Sequence, residues 1–245
     1  MAGEEIAAAQ VAGHGLAGDR AHTLVDGRER GGRLSARAVP SVLEWAATYP
    51  DHPDDALEAA DPPPPVVTAP DGRCFGFDDP ELPGAIAADL DRAIALRRLP
   101  SGDHDRRGTV LVTFEATRRA VEDALGRPLE LRRFRPNLHL ELDASPFAEE
   151  GWSGRRIAVG EVTMRVREPC ERCAVPTRDP GRPGERWPQL LRWLFAEREG
   201  AFGVIAEVER PGRVAGGDQA GVWEVAAPRL SPARRPPTSR PAGDR

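Results

Sequence analysis

Cys170 and Cys173, in the stretch REPCERCAVPT, are the residues of this chain best placed to do chemistry: two thiols separated by two residues, with Arg167, Arg172 and Arg178 around them. Such a pair can be half of a structural zinc site, a redox dithiol, or a single thiolate ready for a metal. Structural zinc takes four ligands, usually from two such pairs. Beyond this pair the chain offers only Cys74 and the scattered His14, His22, His52, His104 and His139. A thioredoxin-like dithiol places its first cysteine at a helix N-terminus, where the dipole lowers the thiol pKa. Here the pair follows a predicted strand, and Pro176 discourages a helix directly after it. The neighbouring arginines favour a thiolate, while two small side chains packed in a loop would explain the same residues. Taken alone, the pair leaves these readings open.

A second constellation lies upstream in ELRRFRPNLHLELD. Arg132, Arg133, Arg135 and Asn137 form a compact donor cluster directly before a predicted strand. Pro136 holds its own φ and biases Arg135 toward an extended conformation. Donors displayed on a fixed bend suit a phosphate or a polar heterocycle; a solvated turn accounts for the same composition.

The cationic side of the chain limits the chemistry further. All 34 of its basic side chains are arginine and none is lysine. A pyridoxal phosphate Schiff base is therefore excluded, as is a Walker phosphate loop. Any anion must be gripped by arginine forks and backbone N–H groups. The net charge of −5 gives no case for a nucleic-acid partner. No apolar run reaches the roughly 18 residues of a membrane span, and MAGEEIAAAQVAG lacks the features of a signal peptide. The expectation is a cytoplasmic protein with no membrane partner, whose three cysteines stay reduced.

Short elements must position these residues. AHTLVD reads as a strand followed by a hairpin turn at DGRERGG. The proline- and acid-rich 51–67 reads as a surface loop. Residues 83–100 place Ile86, Leu90 and Ile94 on one helical face, stopped by Pro100. The polar stretch 101–108 reads as a break between subdomains. After it come a strand at 109–114, a helix at 116–126 ended by Gly126, a half-buried strand at 138–143, and two strands within 155–168 meeting near Gly160. A core-facing helix carries Trp187, Leu190, Leu191, Leu194 and Phe195. FGVIAEVER and GVWEVAA read as strands joined by the turn PGRVAGGD, and LSPARRPPTSRPAGDR reads as a disordered tail. The expected fold is mainly β and barrel-like with a few α-helices, an α+β class. Its expected units are an N-terminal β-barrel-like segment over 1–100, a domain over 101–228 and the tail over 229–245.

The ordered series RFRPN, SPFAEEGW, IAVGEV, PCERC..PT.DP and FGVIAEVERPG.V..GD resembles the MOSC family, named for the C-terminal domain of molybdenum cofactor sulfurase. The family includes the amidoxime-reducing component and its bacterial relatives. GLAGDRAHTLVD and LSARAVPSVL resemble the β-barrel segment that precedes the domain in those proteins. The resemblance implies a molybdenum–molybdopterin cofactor with Cys173 as the metal ligand and catalytic residue, and it gives Cys170 no ligand role. It places Arg135 and Asn137 on the pterin phosphate or ring. Arg20 and Arg37 would reach the cofactor from the N-terminal segment, and Thr113 and Thr117 stand where relatives carry hydroxyl residues, shifted by about one position. Relatives begin with a strand whose Pro/Lys/Ser motif helps hold the cofactor, and this sequence starts just after that point. The resemblance therefore implies either a start placed too late or binding with fewer contacts.

Three functions are consistent with this pattern. The first is a molybdenum oxidoreductase reducing small N-hydroxylated or related N–O substrates. Its electrons would come from a separate iron–sulfur or flavin protein, since the tail has no cysteine. The second is a sulfur carrier holding a persulfide on Cys173 for cofactor or metal–sulfur maturation. The third is a cofactor-binding protein without turnover.

Overall fold

The computed structural model of the protein describes residues 1–27, 32–49, 63–99 and 108–224. The fold is α+β and mainly β, built on a six-stranded sheet curled into a half-barrel. Its strands are β8 (Thr109–Phe114), β9 (Leu138–Leu140), β10 (Arg156–Val159), β11 (Val162–Glu171), β12 (Ala201–Arg210) and β14 (Ala220–Trp223), in the order β14-β10-β11-β12-β8-β9. Every neighbouring pair is antiparallel except β8 and β9.

Alternation in the sequence dictates which face is buried. Val162, Met164 and Val166 of β11 point into a core with Val110, Val112 and Phe114 of β8, Ile157 and Val159 of β10, and Val204 and Ala206 of β12. Fully burying one such side chain is worth about 1.5–3 kcal/mol, so this face holds the sheet in register. On the opposite face Arg165 and Arg167 both bond Glu207, at 2.9 and 2.7 Å. β10 and β11 form a tight hairpin through Gly160, whose φ of +54° suits glycine. At Gly203, φ is +75° and a Cβ would stand 2.5 Å from the Val112 carbonyl, so only glycine lets β12 lie this close to β8.

The N-terminal part is woven into this core. β1 (Ala8–Ala12) lies between β2 (Gly15–Leu16) and β13 (Gly212–Ala215), and Ala9 and Val11 join the main core. PGRVAGGD, expected as a plain turn, thus contains a strand. Its Gly212–Ala215 segment is fixed by pairing with β1, a partner from the far end of the chain that local composition does not reveal.

A second core collects Leu24, Val42, Trp45, Val67, Phe75, Phe77, Leu82 and Ile86. Around it lie β3 (His22–Asp26), β4 (Ala46–Thr48), β5 (Val66–Thr68), β6 (Cys74–Gly76), helix α1 (Leu82–Leu90) and β7 (Ile94–Arg98). Two expectations are corrected here. The helix read over 83–100 ends at Leu90, where Asp91 turns left-handed, and Ile94–Arg98 is a strand paired with β3. Ile86 and Leu90 do share a buried face, but Ile94 belongs to the strand. Val66 and Val67, placed in the surface loop 51–67, begin β5. The rest of that loop through 62, the turn at 28–31, the break at 101–107 and the tail at 229–245 lie outside the described residues.

A third core joins helices α2 (Glu115–Leu125) and α3 (Pro188–Arg198) through Val121, Phe134, Trp187, Leu190, Leu194 and Phe202. Gly126, left-handed at φ +61°, closes α2 as its sequence predicts. In α3 the inward face is Leu190 and Leu194, whereas Phe195, expected inside, is 49% exposed. The strand expected over 138–143 is confined to Leu138–Leu140.

Candidate functional site

Sheet register brings the two sequence constellations to one band. Pro169 of β11 pairs with Val204, Val204 with Val112, and Val112 with Leu138. The end of β11 that carries Cys170 and the strand that follows Asn137 are thus three strand spacings apart, ~14 Å at about 4.8 Å per spacing.

Asn137 is fixed by β8. Its amide N–H donates to the Leu111 carbonyl, and its Oδ1 accepts from the Leu111 N–H, both at 2.9 Å. That leaves Nδ2 to donate to Asp19 Oδ2 at 2.9 Å, and Arg20 Nη1 donates to the same oxygen at 2.5 Å. Asp19 and Arg20 ride on a turn held by the Tyr49 hydroxyl, which donates to the Gly18 carbonyl at 3.0 Å. Burial, aided by nearby Asp19, pushes the Tyr49 pKa up to about 12, so it remains a donor.

Arg135 completes the cluster. Its side chain is half-buried, and Nη1 donates to the Met1 carbonyl at 2.9 Å. Burial, and then the like charge of Arg20, push its pKa down; Arg33 acts in the same sense and Asp19 opposes them. Among the described residues Arg135 thus feels two further arginines and one carboxylate, a setting that suits an anion. The backbone here is a further correction. Arg135 is left-handed at φ +55° rather than extended, even though Pro136 follows it. Arg20 is left-handed as well, at φ +54°.

The thiol pair lies where β11 ends. Cys170 is in the strand and half-buried; Cys173, just beyond it, is exposed, and both are free thiols. Arg172 spans from this loop to the arginine bend. Nη1 donates to Cys170 Sγ at 3.1 Å, and Nη2 donates to the Phe134 carbonyl at 2.6 Å. Among the described residues no three His, Cys, Asp or Glu side chains come together to hold a metal ion. A metal held by protein at a single point would need only one thiolate.

The remaining expected residues sit elsewhere. Thr113 is buried on β8 and bonds His139 Nδ1 at 3.0 Å. Thr117 is buried on α2, donates to Glu149 at 2.9 Å and accepts from the Phe147 N–H. Both hydroxyls are committed to internal bonds. Arg37 is exposed in the turn before Pro40, and no contact ties it to Arg135; from that segment it is Arg33 whose charge Arg135 feels. Sequence reasoning missed Asp19 and Arg33, and it took Arg172 only as a positive neighbour of the thiols, not as a link to the Phe134 carbonyl. Asp19 stands beside Arg20 in the same GDR stretch and Arg172 sits between the cysteines, so both carried a signal; Arg33 carried none.

The sequence model of the MOSC domain matches residues 102–220. A search of the curated proteins finds no match. Among solved structures, YiiM from Geobacillus stearothermophilus is 17% identical with a TM-score of 0.36, covering 47% of this chain. The present chain spans 54% of that protein's length. The YuaD protein from Bacillus subtilis is 13% identical with a TM-score of 0.35, over 89% of this chain and 97% of that one. Likenesses this remote carry no argument about the site. No helix among the described residues is long and apolar enough to cross a membrane, which says nothing of a β-barrel.

Proposed function

We propose that this protein binds molybdenum–molybdopterin and reduces N-hydroxylated or related N–O substrates, a reading supported by the match of residues 102–220 to the MOSC domain, a family associated with the molybdenum cofactor. The observation that carries this reading is the half-buried Arg135 guanidinium, within the electrostatic reach of Arg20 and Arg33 and two residues from Asn137. A phosphate offsets that like charge, and arginine forks are the only cationic side chains the chain has for it.

The residues present fit the group. Arg135 and Arg20 would hold the phosphate. Asn137, oriented by Leu111, would present its amide to the pterin side, and Cys173 would supply the thiolate. When bound, the cofactor supplies two-electron redox chemistry, to which a soft thiolate ligand is suited. Cys173's exposure leaves room beside it for a small substrate. Electrons would come from a separate iron–sulfur or flavin protein, and the cytoplasmic placement belongs to the same proposal.

The test is metal and pterin content of the purified protein. Near-stoichiometric molybdenum with pterin is expected in the wild type, with molybdenum lost in Cys173→Ser and kept in Cys170→Ser. Equal loss in both variants would point to a dithiol or a shared metal pair and overturn the single-ligand reading. The exposure of Cys173 also suits a second reading, a persulfide carrier that presents its sulfur to an acceptor protein. Cyanide-labile sulfur without molybdenum would select that one.

A further inference from the structure

Cys170 has no part in the proposed cofactor site, yet its sulfur is engaged by Arg172, and that arginine reaches the other half of the site. One planar guanidinium bonds two acceptors from distant segments: Cys170 Sγ at 3.1 Å and the Phe134 carbonyl at 2.6 Å. Its position is fixed by two further contacts, one of them on a ring that is itself stacked. The guanidinium lies 5.4 Å from the centre of the Phe134 ring, that ring stacks on Phe202 at 3.8 Å, and the Arg172 N–H donates to the Gly200 carbonyl at 2.8 Å. Arg172 Nε is buried with no partner among the described residues, so the side chain's hold on the structure is through its two Nη atoms and its flat face.

The Phe134 carbonyl is one side of the peptide plane whose other side is the Arg135 N–H. A donor fixed on that carbonyl therefore fixes the plane, and with it the rotation that sets φ of Arg135. That φ is +55°, in a residue that carries a Cβ and precedes a proline. Both features disfavour the conformation, and such strain persists only where the surroundings over-determine it. The other backbone restraint at this point is weak, since the Arg135 N–H bonds the Arg132 carbonyl at 3.3 Å.

The geometry points to Arg172 as a positioning residue: through the Phe134 carbonyl it holds Arg135 in its left-handed conformation, and Cys170 is the acceptor that aims it. The inference rests on the proposed cofactor reading for its purpose, since it locks the loop of Cys173 to the bend of Arg135 before any ligand arrives. The conformational claim itself stands without that reading. A charge-assisted bond of this kind requires the arginine fork. Serine at 170 still offers an acceptor, whereas alanine offers none.

The test uses the full chain without cofactor and measures amide hydrogen exchange together with urea unfolding. In Arg172→Gln the amides of Arg135 and Asn137 should exchange about tenfold faster than in the wild type, with the β10–β11 hairpin unchanged. Cys170→Ala should move the same amides by a smaller factor, and Cys170→Ser should restore them. Replacing Arg135 by glycine removes the Cβ part of the cost of the left-handed turn and leaves the part due to Pro136. The drop in urea midpoint caused by Arg172→Gln should therefore be smaller in the Arg135→Gly background. If Arg172→Gln does not fold, Arg172→Lys and Cys170→Ala carry the comparison. Wild-type exchange at Arg135 in the folded variants, or an undiminished midpoint drop in the Arg135→Gly background, overturns the assignment. Loss of molybdenum binding on its own bears on the cofactor reading, which the Cys173→Ser experiment judges separately.

Discussion

Asn137 and Asp19, 118 positions apart in the chain, are joined by a 2.9 Å hydrogen bond from the amide Nδ2 to the carboxylate. The bond ties the entrance of β9 to the turn that carries Arg20, so the candidate site is assembled from segments far apart in the described chain. Asn137→Asp keeps an oxygen for the Leu111 N–H but sets a second carboxylate against Asp19. We expect a loss of about 1–3 kcal/mol in urea unfolding at neutral pH. Most of it should return in the Asp19→Asn, Asn137→Asp double variant, where an amide again faces a carboxylate.

Arg135 separates backbone strain from ligand grip. Arg135→Lys keeps the charge and the strain but loses the fork. With one charge-assisted bond worth roughly 1.5–3 kcal/mol, its affinity for added cofactor should fall about ten- to a hundredfold. Arg135→Gly should bind worse still, while its thermal stability falls by less than loss of the Met1 hydrogen bond alone would give, because glycine has no Cβ to disfavour φ +55°. Cofactor titration and thermal unfolding of the same preparations check both halves.

Glu115 opens α2 and accepts from Arg118, Arg119 and His139. The Arg118 hydrogen bond comes first among the causes that push its pKa down to about 2, with His139 and Arg119 adding to it. A carboxyl whose folded pKa lies below its unfolded value of about 4.3 stabilises the fold above that value. The contribution is lost as pH falls toward 2. Glu115→Gln should therefore lower stability at neutral pH by on the order of 1–2 kcal/mol for a network with several partners. Its deficit against the wild type should shrink between about pH 4.5 and 2. Urea midpoints across that range decide it.

Glu149 titrates with the opposite sign. Its side chain is buried, and desolvation pushes its pKa up against the Thr117 hydrogen bond. The unfolded chain ionises first, so this group costs stability increasingly as pH rises above the unfolded carboxylate value and up to the folded one. Glu149→Gln keeps an oxygen for the Thr117 hydroxyl and removes the charge. It should raise stability by on the order of 1 kcal/mol at neutral pH and have no effect near pH 3, where both states are protonated.

Features written in neighbouring residues were legible from the sequence. The alternation of Val162, Met164 and Val166, the Gly126 end of α2, the thiol pair and the arginine-only cationic set all act within a few residues of themselves. Their side chains settle burial or chemistry locally, through a strand's period of two, a left-handed cap or a donor type. Other features depend on partners that local sequence does not name. Ile94 keeps helical spacing with Ile86 and Leu90, yet β3 takes residues 94–98 as a strand because pairing across the chain outweighs a weak local preference. Gly212–Ala215 is a strand only because β1 lies against it. The left-handed turn at Arg135 runs against what Pro136 favours locally, and it survives with Arg172 fixed on the neighbouring carbonyl. The grouping of Asp19, Arg33, Arg135 and Asn137 has the same origin. Each is an ordinary surface residue type in sequence, and tertiary packing makes them one half-buried charged site by bringing them together and excluding part of their water.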